Sequence, residues 1–336
     1  MPTGRKIAWF FGAGASRGAG AFTTAQRRGK VMIPTQADFW STVLKYASQT
    51  DKHVIESFLF RYFKNYSRIP ARFSHPERGQ MLNDVNVEEV FTFLTERMST
   101  EAISSSKRAY FANEVWPSLL RAVSRTFGRF SDNEDTRTVY RNFSRNLLKA
   151  RDAIISFNYD IVLERSLPTS KHWYYVPSAN TGIRVFKPHG SINWQLKRDH
   201  TIRFRKTPTE NPVIIAPTHL KFVSLSSHQV TDNIGLFDQA AEIKVIWQKM
   251  EQEITQAKAL VFIGYSFPDA DLYFSSVLRS VFELIEKQML IILVNPDAMR
   301  LAEKLKQRFA VDPKQIHNFF DFRSFSKNKR SEILSA

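Results

Sequence analysis

The chain has 336 residues, of which 43% are hydrophobic and 24% are charged, a mixture typical of a folded globular protein that excludes a wholly disordered chain and a membrane protein. It contains no cysteine, which excludes disulfides, thiolate zinc sites, iron–sulfur clusters and a cysteine nucleophile, and leaves histidine as the main acid–base residue. The excess of 48 lysines and arginines over 32 acidic residues, a net charge of +16, raises the question of an anionic partner.

The first predicted element is a buried strand over residues 6–11, which is short, apolar and aromatic and ends before Gly12. Its apolar run is too short for the core of a signal peptide, and no later segment approaches the roughly 18 apolar residues of a membrane helix. We therefore expect a cytoplasmic protein that does not enter a membrane.

A helical block follows. From residue 35 to residue 150 the apolar residues recur at helical spacing and no segment has the pattern of a strand, with helices predicted near 87–98, 109–127 and 138–149. The block is net basic and rich in aromatic residues. Those aromatics indicate either a docking or self-assembly surface or an ordinary core.

Strands are predicted again after residue 150, at 153–157, 184–186, 201–204 and 213–216, with a long helix at 237–257. The last third alternates between a strand at 259–263, a helix at 271–286, a strand at 290–294 and a helix at 297–309. Such a βαβα series is typical of a parallel sheet covered by helices on both faces.

The predicted fold is therefore α/β, a doubly wound, Rossmann-like parallel sheet with an inserted helical subdomain. Residues 1–34 and 151–322 are predicted to form the sheet domain, and residues 35–150 the insertion. Residues 323–336 are predicted to be a flexible, frayed tail.

The first motif, Gly12-Ala13-Gly14-Ala15-Ser16, directly follows the first strand. Glycines there let the backbone turn sharply and approach a pyrophosphate, whose charge is met by amide N–H groups and a helix N-terminus. The spacing departs from the G-x-G-x-x-G pattern because position 17 is an arginine. The alternative interpretation is a tight strand-to-helix turn.

The second motif, Ser156-Phe157-Asn158-Tyr159-Asp160, stands at the carboxyl end of an apolar strand, where open α/β sheets bind ligands. The amide of Asn158 both donates and accepts hydrogen bonds, which suits it to hold a ribose hydroxyl or a water. The alternative is that Asn158 and Asp160 cap the following helix.

The third motif, Lys187-Pro188-His189-Gly190-Ser191, also follows a strand. Pro188 and Gly190 fix the backbone on either side of His189, so that its ring is presented in a defined direction. An imidazole that titrates near neutrality is a natural general base, although a lone histidine is more often structural.

The fourth motif is the turn from Gly264 to Asp271, followed after the next strand by Asn295. Ser266 and the backbone around Gly264 can hold a ribose or phosphate, and Asn295 can reach an adenosine ribose from the neighbouring strand end. Asp269 and Asp271 serve equally well as helix caps.

These four motifs, in this order, resemble those of the sirtuin superfamily of NAD-consuming enzymes. SFNYD, KPHGSINW and GYSFPDAD are most similar to the bacterial sirtuin-like NADases of anti-phage defence, as are the segments around Asp38 and Phe39 and at 87–91. The resemblance spans residues 7–296. It implies NAD as the substrate. No metal is expected, because cleavage of the nicotinamide–ribose bond involves no phosphoryl transfer and no cysteine is present to hold a structural zinc.

The resemblance also implies roles for individual residues. Asn158 is expected to orient the ribose hydroxyls and the attacking group, and His189 to act as general base. The NAD contacts are expected at Gly12, Ala13, Gly14, Ala15, Ser16, Asp38, Phe39, Asp160, Gly264, Tyr265, Ser266 and Asn295.

The chain also departs from the protein-deacylating sirtuins, which carry a four-cysteine zinc ribbon and a glutamine before the catalytic asparagine. This chain has no cysteine, and Phe157 stands in place of that glutamine. The first hypothesis is therefore an NAD glycohydrolase that depletes NAD during phage infection. The alternatives are a protein deacylase or ADP-ribosyltransferase, and a non-catalytic nucleic-acid-binding or scaffold subunit.

Unrestrained cleavage of NAD would poison the cell that makes the enzyme, so its activity must be gated by a sensor that biases two states. The predicted domains use nearly all of the chain, so we expect the sensor to be another molecule. The resemblance points to a partner ATPase or helicase, or a nucleic-acid-guided protein, and to a homo-oligomer. Direct binding of nucleic acid is a further expectation that the positive charge raises.

Overall fold

The computed structural model describes residues 6–25, 29–100, 103–130, 134–168, 172–178, 182–197, 199, 201–215, 240–269, 271–284 and 289–335. The chain forms two compact units. Unit 1 comprises Met1–Ile33, Phe130–Pro188 and Glu242–Ala336, and unit 2 comprises Pro34–Arg129 and His189–Ala241.

The strands are β1 Ile7–Phe11, β2 Phe22–Ala25, β3 Gly29–Met32, β4 Ala153–Ser156, β5 Trp173–Tyr175, β6 Ile183–Phe186, β7 Gly190–Leu196, β8 Ile202–Phe204, β9 Pro212–Ile214, β10 Ala259–Ile263, β11 Leu290–Val294 and β12 Ile316–Phe319. The helices are α1 Ala13–Gly18, α2 Phe39–Tyr46, α3 Gln49–Phe63, α4 His75–Met81, α5 Val87–Ser99, α6 Ser105–Tyr110, α7 Trp116–Arg129, α8 Glu134–Asn146, α9 Val162–Ser166, α10 Ala240–Thr255, α11 Leu272–Leu284, α12 Ala298–Phe309, α13 Phe322–Phe325 and α14 Arg330–Ser335. Single 3₁₀ turns lie at Gln36–Asp38 and Pro313–Gln315, and a π-helical turn lies at Phe111–Val115.

Unit 1 is built on a seven-stranded sheet with the strand order β12-β11-β10-β1-β4-β6-β5, in which all neighbours pair in parallel. All five residues of the middle strand β1 are buried, as expected where both faces of a parallel sheet are covered. The chain continues from β1 to β4 on one side and later adds β10 on the other, so the strand order reverses at β1. The predicted doubly wound, Rossmann-like fold is confirmed.

Unit 2 contains helices α2 to α7 and a small antiparallel sheet with the order β8-β7-β9. Its helices pack through a four-ring cluster of Phe58, Tyr62, Phe93 and Phe111, whose centroids all lie 5.3–6.0 Å from one another. Phe58 and Phe111 are fully buried. Tyr62 and Phe93 are half-buried, so two of the four rings are core and two reach the surface of unit 2. The docking or self-assembly surface stays a prediction.

The two units divide the chain differently from the predicted domains. The helix α8 belongs to unit 1 rather than to the helical insertion, whereas β7, β8 and β9 belong to unit 2. The strands predicted at 201–204 and 213–216 were assigned to the single parallel sheet, but β8 and β9 pair with β7 in a separate antiparallel sheet.

The predicted frayed tail is instead helical over α13 and α14, and Arg330 and Ile333 are buried. Arg330 Nη2 donates to Asp152 Oδ1 at 2.9 Å, and the same carboxylate accepts from the backbone of Ile7 and the indole of Trp9. A buried ion pair whose remaining oxygen positions are filled in this way fastens the end of the chain to the sheet. The partner lies 178 residues earlier, so no local pattern indicates it.

Candidate functional site

The candidate site lies at the carboxyl ends of four adjacent strands of unit 1. The strand order places the ends of β11, β10, β1 and β4 side by side. Asn295, Gly264, Gly12 and Phe157 are the first residues after those strands. Since the order of the strands reverses at β1, this edge is the position at which doubly wound sheets bind ligands.

Three glycines allow two turns to cross in backbone contact. A Cβ at Gly12 would lie 2.5 Å from the Gly264 carbonyl oxygen, and a Cβ at Gly264 would lie 2.0 Å from the Ala15 nitrogen. Gly264 also has a φ of +60°, and a Cβ at Gly14 would lie 3.0 Å from the Cα of Gly264. The glycines are therefore required by the packing of the turn after β1 against the turn after β10.

The first motif uses several of its amides within the protein. The N–H groups of Gly12, Gly14 and Ala15 donate to the carbonyls of Ile263, Gly264 and Gly12 at 2.9–3.0 Å. Those three donors are not available to a pyrophosphate, which corrects that part of the predicted role. Ala15 is buried, whereas Ala13 is exposed and Gly14 is half-buried, so the surface that a ligand can reach is at Ala13 and Gly14.

Asn158 is buried and is held by the first turn. Its Nδ2 donates to the Gly12 carbonyl oxygen at 2.9 Å and to Ser16 Oγ at 3.4 Å. Within the described part of the chain, its Oδ1 has no hydrogen-bond partner. The amide is thus fixed through its nitrogen and keeps an acceptor for a hydroxyl or a water.

Ser16 and Asp160 form a buried pair next to Asn158. Ser16 is fully buried and its hydroxyl lies 3.2 Å from both carboxylate oxygens of Asp160. Asp160 also accepts from the backbone N–H of Val162 at 2.9 Å, which is the helix-capping alternative. Burial raises the pKa of Asp160, against the opposing effect of the Lys187 charge. Ser16 contacts both Asp160 and Asn158, so the pair positions the Asn158 amide through the Ser16 hydroxyl.

Lys187, the first residue of the third motif, has a role in this site that the sequence did not indicate. Its ammonium is completely buried and donates to the Asp160 carbonyl oxygen at 2.6 Å and to Glu164 Oε1 at 2.9 Å. Tyr175 adds a hydrogen bond to the same Glu164 oxygen at 3.2 Å. This ion pair joins the end of β6 to the turn after β4 and the helix α9. The only local signal was a lysine directly after an apolar strand.

The turn after β10 divides into a buried and an exposed side. Tyr265 is buried, stacks on Phe157 at 4.7 Å and donates its hydroxyl to Asp271 Oδ2 at 2.9 Å. Phe267 is buried with a φ of +51°. Between them, Ser266 is exposed, so of the two predicted contacts Ser266 can meet a ligand and Tyr265 forms the floor beneath it.

Asn295 has a structural role in the described residues. Its Oδ1 accepts from the backbone N–H of Asp297 at 3.0 Å, at the start of α12, and its own N–H donates to the Phe319 carbonyl. The side chain is half-buried. Its carboxamide nitrogen is the part left for a ribose.

His189, Asp38 and Phe39 belong to unit 2, whereas Asn158 belongs to unit 1. His189 is buried, and its carbonyl accepts from the N–H of Ile215 at 2.9 Å. The neighbouring Gly190 has a φ of +76°, and a Cβ there would lie 2.1 Å from the Val213 carbonyl oxygen, so this glycine is required where β7 meets β9.

Asp38 and Phe39 have structural roles in unit 2. Asp38 Oδ1 accepts from the backbone N–H of Thr35 at 2.8 Å in a capping box. Phe39 is buried against Trp40, with their centroids 5.0 Å apart. Asp38 is thus used to start the 3₁₀ turn before α2, and Phe39 is used to pack that helix.

Neither a cluster of metal ligands nor a membrane-spanning helix is found among the residues that the structure describes. No three His, Cys, Asp or Glu side chains there come together as metal ligands would. No helix in the described ranges combines the length and the apolar character needed to cross a membrane.

The fold and the strand-end residues define the class: a doubly wound α/β protein whose candidate site lies where the strand order reverses. Residues 152–313 match the family described as SIR2-like domain, a match that supports a sirtuin-like superfamily relationship. The matched residues include Asn158, His189, Gly264 and Asn295.

Solved structures and curated proteins add little to this match. A solved structure of a Sir2 mutant with a p53 peptide and NAD is similar over 98% of this chain and 93% of its own, with 12% identity and a TM-score of 0.35. No curated protein matches the chain.

Proposed function

We propose that this protein binds NAD at the carboxyl ends of β1, β4 and β10 and cleaves the bond between nicotinamide and ribose. The match of residues 152–313 to the SIR2-like domain supports NAD as the substrate. The observation that carries the proposal is the fixed amide of Asn158, which is held by Gly12 and Ser16 and retains an acceptor oxygen.

The chemistry follows from the charge of the leaving group. The bond from ribose C1′ to the cationic nicotinamide nitrogen breaks, and its electron pair leaves with a neutral nicotinamide, so no acid is required. C1′ becomes oxocarbenium-like, as in glycoside hydrolysis, and the oxygen of water then forms the new bond and loses a proton. The products are nicotinamide, ADP-ribose and a proton.

Two side chains have the roles that this reaction needs. The Oδ1 of Asn158 accepts a hydrogen bond from a ribose hydroxyl or from the attacking water, which fixes the orientation of the reacting groups. His189 accepts the proton that water loses, and general-base help of this kind contributes roughly 100- to 10,000-fold. The Ser16–Asp160 pair keeps Asn158 in place.

The test is incubation of the purified full chain with NAD and identification of the products by liquid chromatography and mass spectrometry. We expect nicotinamide and ADP-ribose, linear or cyclised. His189→Ala should abolish cleavage, whereas His53→Ala, an exposed histidine of the same unit, should leave it unchanged. Cleavage that requires an acylated peptide would instead assign a deacylase, and undiminished cleavage by His189→Ala would refute the role of that residue.

We also propose, from the resemblance of the motifs, that this NADase depletes NAD in anti-phage defence and is gated by a partner. The partner is an ATPase or helicase, or a nucleic-acid-guided protein, and the enzyme works as a homo-oligomer. NAD turnover by the chain alone is compared with turnover after adding the product of a neighbouring gene, nucleic acid and ATP in combination. Full turnover by the dilute chain alone, unchanged by every addition, contradicts the gating.

A further inference from the structure

A cavity of about 340 Å³ opens on unit 2 between α7 and the segment before β9. Arg121, Arg125 and Arg129 line it from the helix. Gly128 brings the two walls together, because a Cβ at that position would lie 3.0 Å from Pro208 Cγ. The cavity has the size of a small-molecule site, which is roughly 300–1,000 Å³.

The three arginines lie on one face of α7. Their spacing of four residues places them on successive turns of the helix, so their guanidinium groups point to the same side. Arg121 donates through Nε and Nη2 to Asp51 Oδ1 at 3.0 and 2.7 Å, and Asp51 is buried beneath it. The carboxylate therefore holds this guanidinium in a fixed orientation.

The arginines keep many donors for a ligand. Within the described ranges, Arg121 has no partner for Nη1, and Arg125 reaches Asp51 only through Nη1 at 3.5 Å. Arg129 lies over the ring of Tyr46 at 5.2 Å and, among the described side chains, pairs with no carboxylate. Arg125 and Arg129 are both exposed. Each guanidinium carries five N–H groups in a planar fork, so most of the donors of these two residues remain.

The opposite wall supplies a hydroxyl. Thr209 Oγ1 is buried and has no hydrogen-bond partner in the described part of the chain, while the Thr209 carbonyl accepts from the Ser124 hydroxyl. A buried polar atom without a partner needs a specific explanation, and a ligand oxygen provides one. Glu210 is the only carboxylate among the lining residues that the structure describes, and it is exposed.

We propose that this cavity binds the phosphate groups of a nucleotide or of a single-stranded nucleic acid. Planar guanidinium forks match the oxygens of a phosphate, and arginine binds them through paired, charge-assisted hydrogen bonds. The hydroxyl of Thr209 donates to a further phosphate oxygen. None of the residues that line this cavity is among those proposed to bind or cleave NAD.

The experiment measures binding of two probes to the full chain at about 50 mM salt: a fluorescein-labelled 12-nucleotide oligo(dT), by anisotropy, and AMP, by calorimetry and by competition with the labelled strand. The test variant is Arg125→Ala with Arg129→Ala. The matched control is Arg61→Ala with Arg97→Ala, which removes two other exposed arginines of unit 2, each stacked on an aromatic ring as Arg129 is. Melting temperatures establish that all variants fold.

We expect the test pair to raise the Kd of the bound probe at least tenfold and the control pair to change it less than threefold. Thr209→Val, which keeps the shape but removes the hydroxyl, should raise the Kd about threefold. Competition by AMP identifies a single phosphate group as sufficient, and binding of the oligonucleotide alone identifies the polynucleotide. Absence of binding by both probes, or equal losses in the two arginine pairs, overturns the proposal.

Discussion

The side-chain amide of Asn158 donates to the backbone carbonyl of Gly12 at 2.9 Å, joining the turn after β4 to the turn after β1. Since the nitrogen is used in this bond, the orientation of the carboxamide is set, and its oxygen is the part left to accept a hydrogen bond. The same residue is thus a structural link between two strand ends and the proposed ligand for the ribose. Substitutions at this position should separate these two contributions.

Asn158→Ala should reduce NAD turnover by at least 100-fold, because the reacting groups lose their orienting acceptor. The lost hydrogen bond should lower the free energy of unfolding by only about 1 kcal/mol. Asn146→Ala is the control, since Asn146 Nδ2 also donates to a backbone carbonyl, that of Ser326, at 3.1 Å. Turnover and urea unfolding are measured for both. Near wild-type turnover by a folded Asn158→Ala variant removes Asn158 from the reaction.

Gly264→Ala should destabilise the protein by more than about 2 kcal/mol. The left-handed conformation alone costs a residue with a side chain about 1–2 kcal/mol, and the added Cβ would overlap the Ala15 nitrogen at 2.0 Å. Gly18→Ala is the control, because its Cβ would meet only Phe322 Cβ at 3.8 Å and the residue is helical. Urea unfolding of the two variants checks this. Equal stabilities would show that the two turns do not cross this closely.

Much of the sheet could be predicted from the sequence because its central strands are continuous apolar runs. The segments at 259–263 and 290–294 coincide with β10 and β11 residue for residue. The strands that escaped prediction lack this signal: β12 is half-exposed and contains a histidine and an asparagine, and β5 has three residues. β7 carries a serine and an asparagine among its buried residues and pairs in a different sheet.

The sequence predicts which motifs belong to the site, but not the contacts that the motifs make with one another. The strand-end positions of Asn158 and Gly264 follow from polar residues and glycines directly after apolar runs. The close approach of Gly264 to Gly12 and the burial of Lys187 depend on partners distant in the chain. Glu164, the partner of that lysine, had no feature to distinguish it from any helical glutamate.

Lys187→Met should destabilise the protein by about 3–5 kcal/mol, because it leaves the Glu164 carboxylate buried without its counter-charge. Adding Glu164→Gln should restore part of that loss, since the charge is then removed as well. A double-mutant cycle by urea unfolding measures the coupling. Lys197→Met is the control, because its pair with Asp199 is exposed, and such pairs contribute at most about 1 kcal/mol. Strictly additive losses would contradict the buried pairing.

Asp160 should make unfolding depend on pH in a direction opposite to that of most carboxylates. Burial raises its pKa above the ordinary value of 3.8, although the Lys187 charge and the hydrogen bonds from Val162 and Ser16 act against that rise. In the window above pH 3.8 the folded protein retains a proton that the unfolded chain has lost, so it binds more protons than the unfolded chain. The contribution of this group to stability is present below pH 3.8 and is lost as the pH rises through the folded pKa.

Asp160→Asn removes the titration while retaining an acceptor oxygen for the Val162 N–H. The free energy of unfolding of the variant, relative to that of the wild type, should therefore increase between pH 4 and pH 7. Asp199→Asn is the control, because hydrogen bonds from Thr201 lower the pKa of Asp199 to about 2. The folded and unfolded chains then differ in the protonation of this carboxyl only below pH 4. The free energy of unfolding of this variant, relative to that of the wild type, should therefore stay constant between pH 4 and pH 7. Urea unfolding at pH 4, 5.5 and 7 gives both differences. A constant difference for Asp160→Asn would mean that the carboxyl titrates alike in the folded and unfolded chains, and would contradict its burial against Ser16.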